Sequence, residues 1–244
     1  MPNNSRREVN LLAIDSETWE YRPGLMAPPT VCVSYAGSDG RQGIVVGQDI
    51  PAFLDQAFDE VLADPVNNYI GGAYVAYDMA CFMANYPELT KKIFAVYSAR
   101  GVYCTNVNEK LLDIAEGTLG LQAYNLAAFA KKYLRLELDK TTWRTGYMLL
   151  DGVPLSQWPQ GAIDYAVLDA VAARGVIFAQ WRRAQEMSYA LPDAPEQAAA
   201  DFALRLASNW GVRTNEARVR EIDARTTLRM DELKIELGRA GLYK

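Results

Sequence analysis

An unbroken apolar run, Leu11-Leu12-Ala13-Ile14, ends abruptly in Asp15-Ser16-Glu17-Thr18-Trp19. Continuous rather than alternating hydrophobicity suits a strand covered on both faces at the centre of a sheet. The carboxylates therefore sit where that strand leaves the core. Side chains on extended backbone repeat with a period of two, so Asp15 and Glu17 point to the same side and can share one ion. Without a cation, two carboxylates so close repel and raise one another's pKa. A strand end with two solvated acids is the other reading of these residues, and Asp-x-Glu is too short a pattern to choose between them.

Composition narrows the chemistry. None of the 244 residues is a histidine, which removes Ser-His-Asp and Cys-His catalysis, His-ligated zinc or iron, and a His general base. Carboxylates, hydroxyls, Lys, Arg or a metal ion must carry any reaction. The net charge of −5 means that the molecule as a whole does not attract nucleic acid, so a phosphate-bearing partner needs a local basic strip or a metal. Cys32, Cys81 and Cys104 are odd in number and lie in apolar surroundings, as reduced core residues would. The polar N-terminus lacks the apolar segment of a signal peptide, and no stretch approaches a membrane span. A soluble cytoplasmic protein is expected, with no membrane partner.

After the first strand, Tyr21 to Pro29 reads as a Pro/Gly-rich loop. Val31–Tyr35 and Gly43–Val46 read as strands joined across Asp39-Gly40, giving an antiparallel meander of three. Ile50 to Leu62 carries an amphipathic helix, and Tyr69–Tyr74 a short strand. The next helix begins at Ala76, which puts Asp78 in its first turn. Helices are also expected over Asn106–Glu116 and Gln122–Tyr133, then a loop region from Lys140 to Trp158. Pro159 opens a long helix to about Gln185, with Tyr165 and Asp169 four apart on one face. Asp169 interrupts an otherwise apolar face, and a boundary position paired with Arg174 or a lysine is its structural explanation. Ser188 to Pro195 reads as a linker, followed by helices over Glu196–Asn209 and Asn215–Leu242.

Three separated pieces, Ile14-Asp15-Ser16-Glu17-Thr18, Val75-Ala76-Tyr77-Asp78 and Tyr165-Ala166-Val167-Leu168-Asp169-Ala170, resemble in order the three motifs of the DEDD (DnaQ-like) 3′–5′ exonucleases. Tyr165, four residues before the last Asp, is similar to the tyrosine subclass. With Asp151-Gly152-Val153-Pro154-Leu155 and the C-terminal helices, the chain most resembles the proofreading domain of phage-type family A DNA polymerases. One position departs from that pattern: the family's second motif carries Asn, often after His, where this chain has Ala73 and Tyr74.

The resemblance implies a ribonuclease H-like α/β fold, a mixed sheet flanked by helices. Residues 1–187 would form the exonuclease domain, and 188–244 a helical extension connecting toward a polymerase domain in cis or trans. It implies four metal-binding carboxylates, Asp15, Glu17, Asp78 and Asp169, around two Mg²⁺ or Mn²⁺ ions, with Tyr165 orienting the attacking water. Hard divalent cations offset the charge that develops when a phosphodiester is hydrolysed. The partner would be a single-stranded DNA 3′ end, held by Thr18, Trp19, Tyr74 and Tyr77 through stacking and backbone contacts. Lys91, Lys92, Lys131, Lys132, Arg182 and Arg183 are candidate phosphate contacts or, equally, a solvated charged face. An RNA-trimming exonuclease of the ribonuclease D kind and a catalytically decayed structural or nucleic-acid-binding domain are the alternatives. If the chain is of phage origin, its location is the host cytoplasm.

Overall fold

The computed structural model describes residues 9–138, 143, 146–187, 191, 193–211 and 213–242. Its first strand, β1 (Asn10–Thr18), is the middle member of a five-stranded mixed sheet ordered β3-β2-β1-β4-β5. On one side β2 (Thr30–Gly37) and β3 (Gln42–Val46) complete the expected antiparallel meander. On the other, β4 (Asn68–Gly72) and β5 (Val102–Cys104) run parallel to β1. The carboxylates at 15 and 17 belong to β1 itself, which continues to Thr18 paired with β2 after β4 has ended at Gly72.

The two faces of β1 meet different helices. Leu12 and Ile14 pack into a core with α1 (Asp49–Ala63), α2 (Val75–Asn85) and α3 (Thr90–Ser98), through Leu54, Phe58, Met79 and Ile93. Ala13 faces the opposite layer, where α5 (Leu126–Phe129) and α6 (Gln160–Glu186) supply Phe129, Ala172 and Val176. Between these lies α4 (Thr105–Glu116). The period of two along the strand thus assigns each residue near its end to one layer or the other.

Several elements differ from the sequence expectation. Neither α3 nor β5 is anticipated, because a nine-residue helix and a three-residue strand give patterns too short to stand out. The helix expected from Gln122 begins at Leu126 instead, capped by Asn125, whose Oδ1 accepts the Ala128 amide at 2.9 Å. Gln122 and Tyr124 are drawn off by side-chain bonds to Asp113, at 2.6 and 2.7 Å.

The region from Lys140 to Trp158 includes 140–142 and 144–145, which lie outside the described residues. Its described part is more ordered than a plain loop. Single helical turns at Tyr147–Leu150 and Leu155–Gln157 bury Tyr147 and Trp158 against Ala162 and Ala166 of α6, and the Tyr147 hydroxyl donates to the Ala162 carbonyl at 2.6 Å. The linker expected over Ser188 to Pro195 falls partly outside the described residues. The helix after it, α7 (Ala194–Trp210), starts earlier than expected, with Pro195 in its first turn.

The chain divides into two compact units, Met1–Asn209 and Trp210–Lys244. Within the first, Phe202 of α7 stacks on Tyr97 of α3, ring centroids 4.5 Å apart. In the second, α8 (Glu216–Arg239) is exposed along its length and carries ion pairs such as Arg218–Glu221 and Arg229–Glu232. Cys32, Cys81 and Cys104 are buried and free, as expected. Among the described residues no helix is long and apolar enough to cross a membrane.

Gly72 ends β4 beside the functional end of β1, and a Cβ there would lie 2.8 Å from the Ile14 carbonyl oxygen. That oxygen is backbone and cannot swing away. Gly72→Ala should therefore cost about 1–3 kcal/mol in a denaturant melt, the usual penalty for overpacking; an unchanged midpoint would show that β1 can move aside.

Candidate metal and substrate site

Three acids meet at the end of β1. Asp15 and Glu17 share the α6 face of the strand, and Asp169 reaches them from α6. One carboxylate oxygen from each lies within 4.8 Å of the other two. Two oxygens bound to one Ca²⁺ at about 2.4 Å can lie that far apart, and a smaller Mg²⁺ at about 2.1 Å would draw them closer, so the trio suits a single hard divalent cation. The donor set is all carboxylate oxygen, which suits hard cations. Asp169 is only 6% exposed. A carboxylate in such a place needs hydrogen-bond or charge partners, and a divalent cation is one kind that suits it. Arg174, its candidate partner on the same helix, directs Nη1 to the Gly37 carbonyl at 2.6 Å.

Asp78 stands outside this trio, although the resemblance implies four acids around the ions. It lies in the first turn of α2 on the other side of the sheet, where β1 presents Ser16 rather than Asp15 or Glu17. Asp78 Oδ1 accepts the Ser16 amide at 3.0 Å and the Ser16 hydroxyl at 2.5 Å. Burial raises its pKa to about 6; hydrogen bonds from Ser16 and the charge of Arg205 act in the opposite direction without cancelling it. Ser16 is a partner that sequence reading missed, since nothing in its identity marks it as the anchor for a carboxylate 62 residues away.

Of the expected substrate residues only Tyr74 lines the cleft beside the acids; all four make bonds of their own. The Thr18 hydroxyl lies 2.7 Å from the Tyr77 hydroxyl, and the Trp19 indole donates to Asp151 at 2.8 Å. Arg205 of α7 lays its guanidinium 4.7 Å from the centre of the Tyr77 ring and donates to the Met26 carbonyl at 2.8 Å, fixing Tyr77 from behind. Tyr74 is 47% exposed, with its hydroxyl on the Tyr124 carbonyl. A cleft of about 350 Å³ joins Asp15, Asp169 and Tyr165 to Ala73, Tyr74 and Asn125. Phe82 is buried in the core.

Most of the candidate phosphate-binding cations are engaged elsewhere. Lys92 pairs with Asp55 and Asp59, Lys131 with Glu137, and Lys132 with Glu109. Arg183 is held among Glu109, Asp113 and Glu116. Paired lysines and arginines of this kind form a structural network, and the sequence pattern of basic residues does not reveal their partners.

Asp78 gives a pH signature. A carboxyl whose folded pKa is raised favours the protonated folded state, so its stabilising contribution is present at low pH and is lost as pH rises through about 6. Protein in EDTA should lose on the order of 2–3 kcal/mol from this group between pH 4 and 7. Asp78→Asn should flatten that part of the stability curve; a variant whose curve parallels the wild type would remove Asp78 as the source.

No protein-family model and no curated protein sequence matches the chain. Similar solved structures do exist. Brucella melitensis NrnC bound to pGG is 17% identical, with 84% of this chain and 85% of that one covered and a TM-score of 0.53. Escherichia coli RNase D, described as an exoribonuclease involved in structured RNA processing, is 13% identical over 81% of this chain and 45% of its own, with a TM-score of 0.56. The POL domain of Pol1 from M. smegmatis, in complex with DNA primer-template and dNTP, is 13% identical over 99% of this chain and 35% of its own, with a TM-score of 0.58. With its mixed sheet, flanking helices and C-terminal helices, the chain has a ribonuclease H-like fold.

Proposed function

We propose that this chain is a divalent-metal-dependent 3′–5′ exonuclease that trims RNA in the manner of the ribonuclease D kind. The observation that carries the reading is the meeting of Asp15, Glu17 and Asp169 within 4.8 Å at the end of the central strand. Asp15, Glu17 and Asp169 would hold a divalent ion, and Asp78 would add a fourth carboxylate to the binding of a second. Bound cations supply water activation and offset the charge of the departing 3′ oxygen. Tyr165 lines the same cleft as Asp15 and Asp169. It orients the attacking water by hydrogen bonding, since phenols are poor bases at neutral pH. Trp19, Tyr74, Tyr77 and Thr18 border the path of the strand end, which favours single strands without base-specific readout. The likeness to an exoribonuclease supports RNA as the substrate, and the likeness to NrnC bound to pGG supports a short nucleic-acid ligand.

Proofreading of DNA for a family A polymerase is the second reading. Its support is the likeness to Pol1, which extends over 99% of the chain and so takes in the helices after residue 187. Residues 188–244 would then lead from the nuclease toward a polymerase domain.

Purified protein with Mg²⁺ or Mn²⁺ should shorten 5′-labelled single-stranded RNA stepwise from its 3′ end, faster than DNA of the same sequence. Asp15→Ala should lower the rate about 10³-fold or more. Tyr165→Phe should lower it roughly 10²-fold while leaving metal affinity unchanged. Faster loss of DNA would transfer support to proofreading. Intact strands of both kinds, together with no divalent binding by calorimetry, would leave a decayed domain as the better account.

A further inference from the structure

The cleft has one more polar group on its wall. Asn125 commits its side-chain oxygen to the Ala128 amide at 2.9 Å, the cap of α5. An amide has two ends, and the Nδ2 of Asn125, with two hydrogens, donates to nothing among the described residues. Asn125 is exposed and lines the same cleft as Asp15, Tyr165 and Asp169.

Its backbone is held in place. The Tyr124 carbonyl next to it accepts Asn106 Nδ2 at 2.8 Å and the Tyr74 hydroxyl. The Tyr124 hydroxyl donates to Asp113 at 2.7 Å and accepts the Gly120 amide at 3.0 Å. A donor fixed by so many bonds loses little freedom on meeting a ligand. Tyr74, by contrast, has spent its hydroxyl on Tyr124, and it stands where a second-motif Asn would offer an amide.

Apart from any bound cation, the carboxylates in this cleft repel the oxygens of a nucleic acid end, whereas a neutral amide attracts them without adding charge. We infer that Asn125 is a substrate-binding residue, which donates from Nδ2 to a sugar–phosphate oxygen of the 3′-terminal nucleotide. The inference rests on the exonuclease reading for its substrate class. It assigns to the start of α5 the amide contact that the start of α2 lacks, and it predicts binding that does not depend on base identity.

The test separates the two ends of the amide. Asn125→Asp keeps an acceptor for Ala128 and deletes both donors; Asn125→Ala deletes acceptor and donors together. Binding of a short 5′-fluorescein-labelled RNA is followed by anisotropy in Ca²⁺, well below each variant's melting transition. Both variants should bind about tenfold more weakly or worse, the usual loss for a hydrogen bond to a charged group. Asn125→Asp should melt with the wild type, whereas Asn125→Ala melts lower. In Mg²⁺ the loss should fall on KM more than on kcat. Wild-type affinity in Asn125→Ala, or weakening confined to Asn125→Asp, overturns the inference, since the first leaves only a cap and the second only added charge. A wild-type protein that binds RNA without shortening it counts against the exonuclease reading while the affinities still judge Asn125. Absence of RNA binding by the wild type overturns both.

Discussion

The site depends on how closely α6 can lie against the sheet. Its inner face is built from Ala162, Ala166, Ala170, Ala172 and Ala173, all buried, which lets the helix axis approach β1 and β2 without large side chains between them. At Gly71 of β4 a Cβ would meet Ile177 at 2.6 Å, so the sheet too is pared down where the helix crosses it. Close packing of this kind is rigid, because interiors are filled to the density of organic crystals. Asp169 is thereby carried to Asp15 and Glu17, and the helix that completes the trio is also the one that covers the sheet. Folding itself assembles three negative charges, and a divalent cation is the ligand best able to offset them.

The sheet divides the acids as well as joining them. Side chains alternate along β1, so Asp15 and Glu17 turn toward α6 while Ser16 turns toward α2 and takes Asp78. A buried carboxylate in this position is costly when charged, and its raised pKa expresses that cost. The fourth acid is therefore a hydrogen-bonded group of the α2 layer, set apart from the trio on the other face of the strand. Arg205 connects this corner to α7 by stacking on Tyr77, so the helix after residue 187 helps to shape it.

A polar network on the opposite flank fixes the other wall of the cleft. Burial alone would raise the pKa of Glu109, but hydrogen bonds from Lys132, Gln180, Tyr133 and Gln122 outweigh it and hold the group below the usual carboxylate range. Asp113 next to it anchors Tyr124 and, with Glu116, Arg183. The same bonds that occupy Lys132 and Arg183 thus hold Tyr124 in place, and with it Asn125 and Tyr74. Satisfied buried networks stiffen a structure in this way, at the price of removing those cations from any role with phosphate.

Local pattern was enough for much of this protein. The apolar run before Asp15 marked the central strand, the meander followed from its turn residues, and the long helix after Pro159 held Tyr165 and Asp169 on one face. Each of those features is written within a few residues, where period two or 3.6 decides which side a group takes. Periodicity could not pair Asp78 with Ser16 or Lys132 with Glu109, nor place Asn125 on the wall shared with Asp15. Those outcomes join residues tens of positions apart, through packing and charge neutralisation that exist only once the layers have closed. The sequence by itself determined which side chains are acids and which of them share a face; the tertiary structure alone decided which acids meet, because distance in space is set by helix-on-sheet packing and not by spacing along the chain.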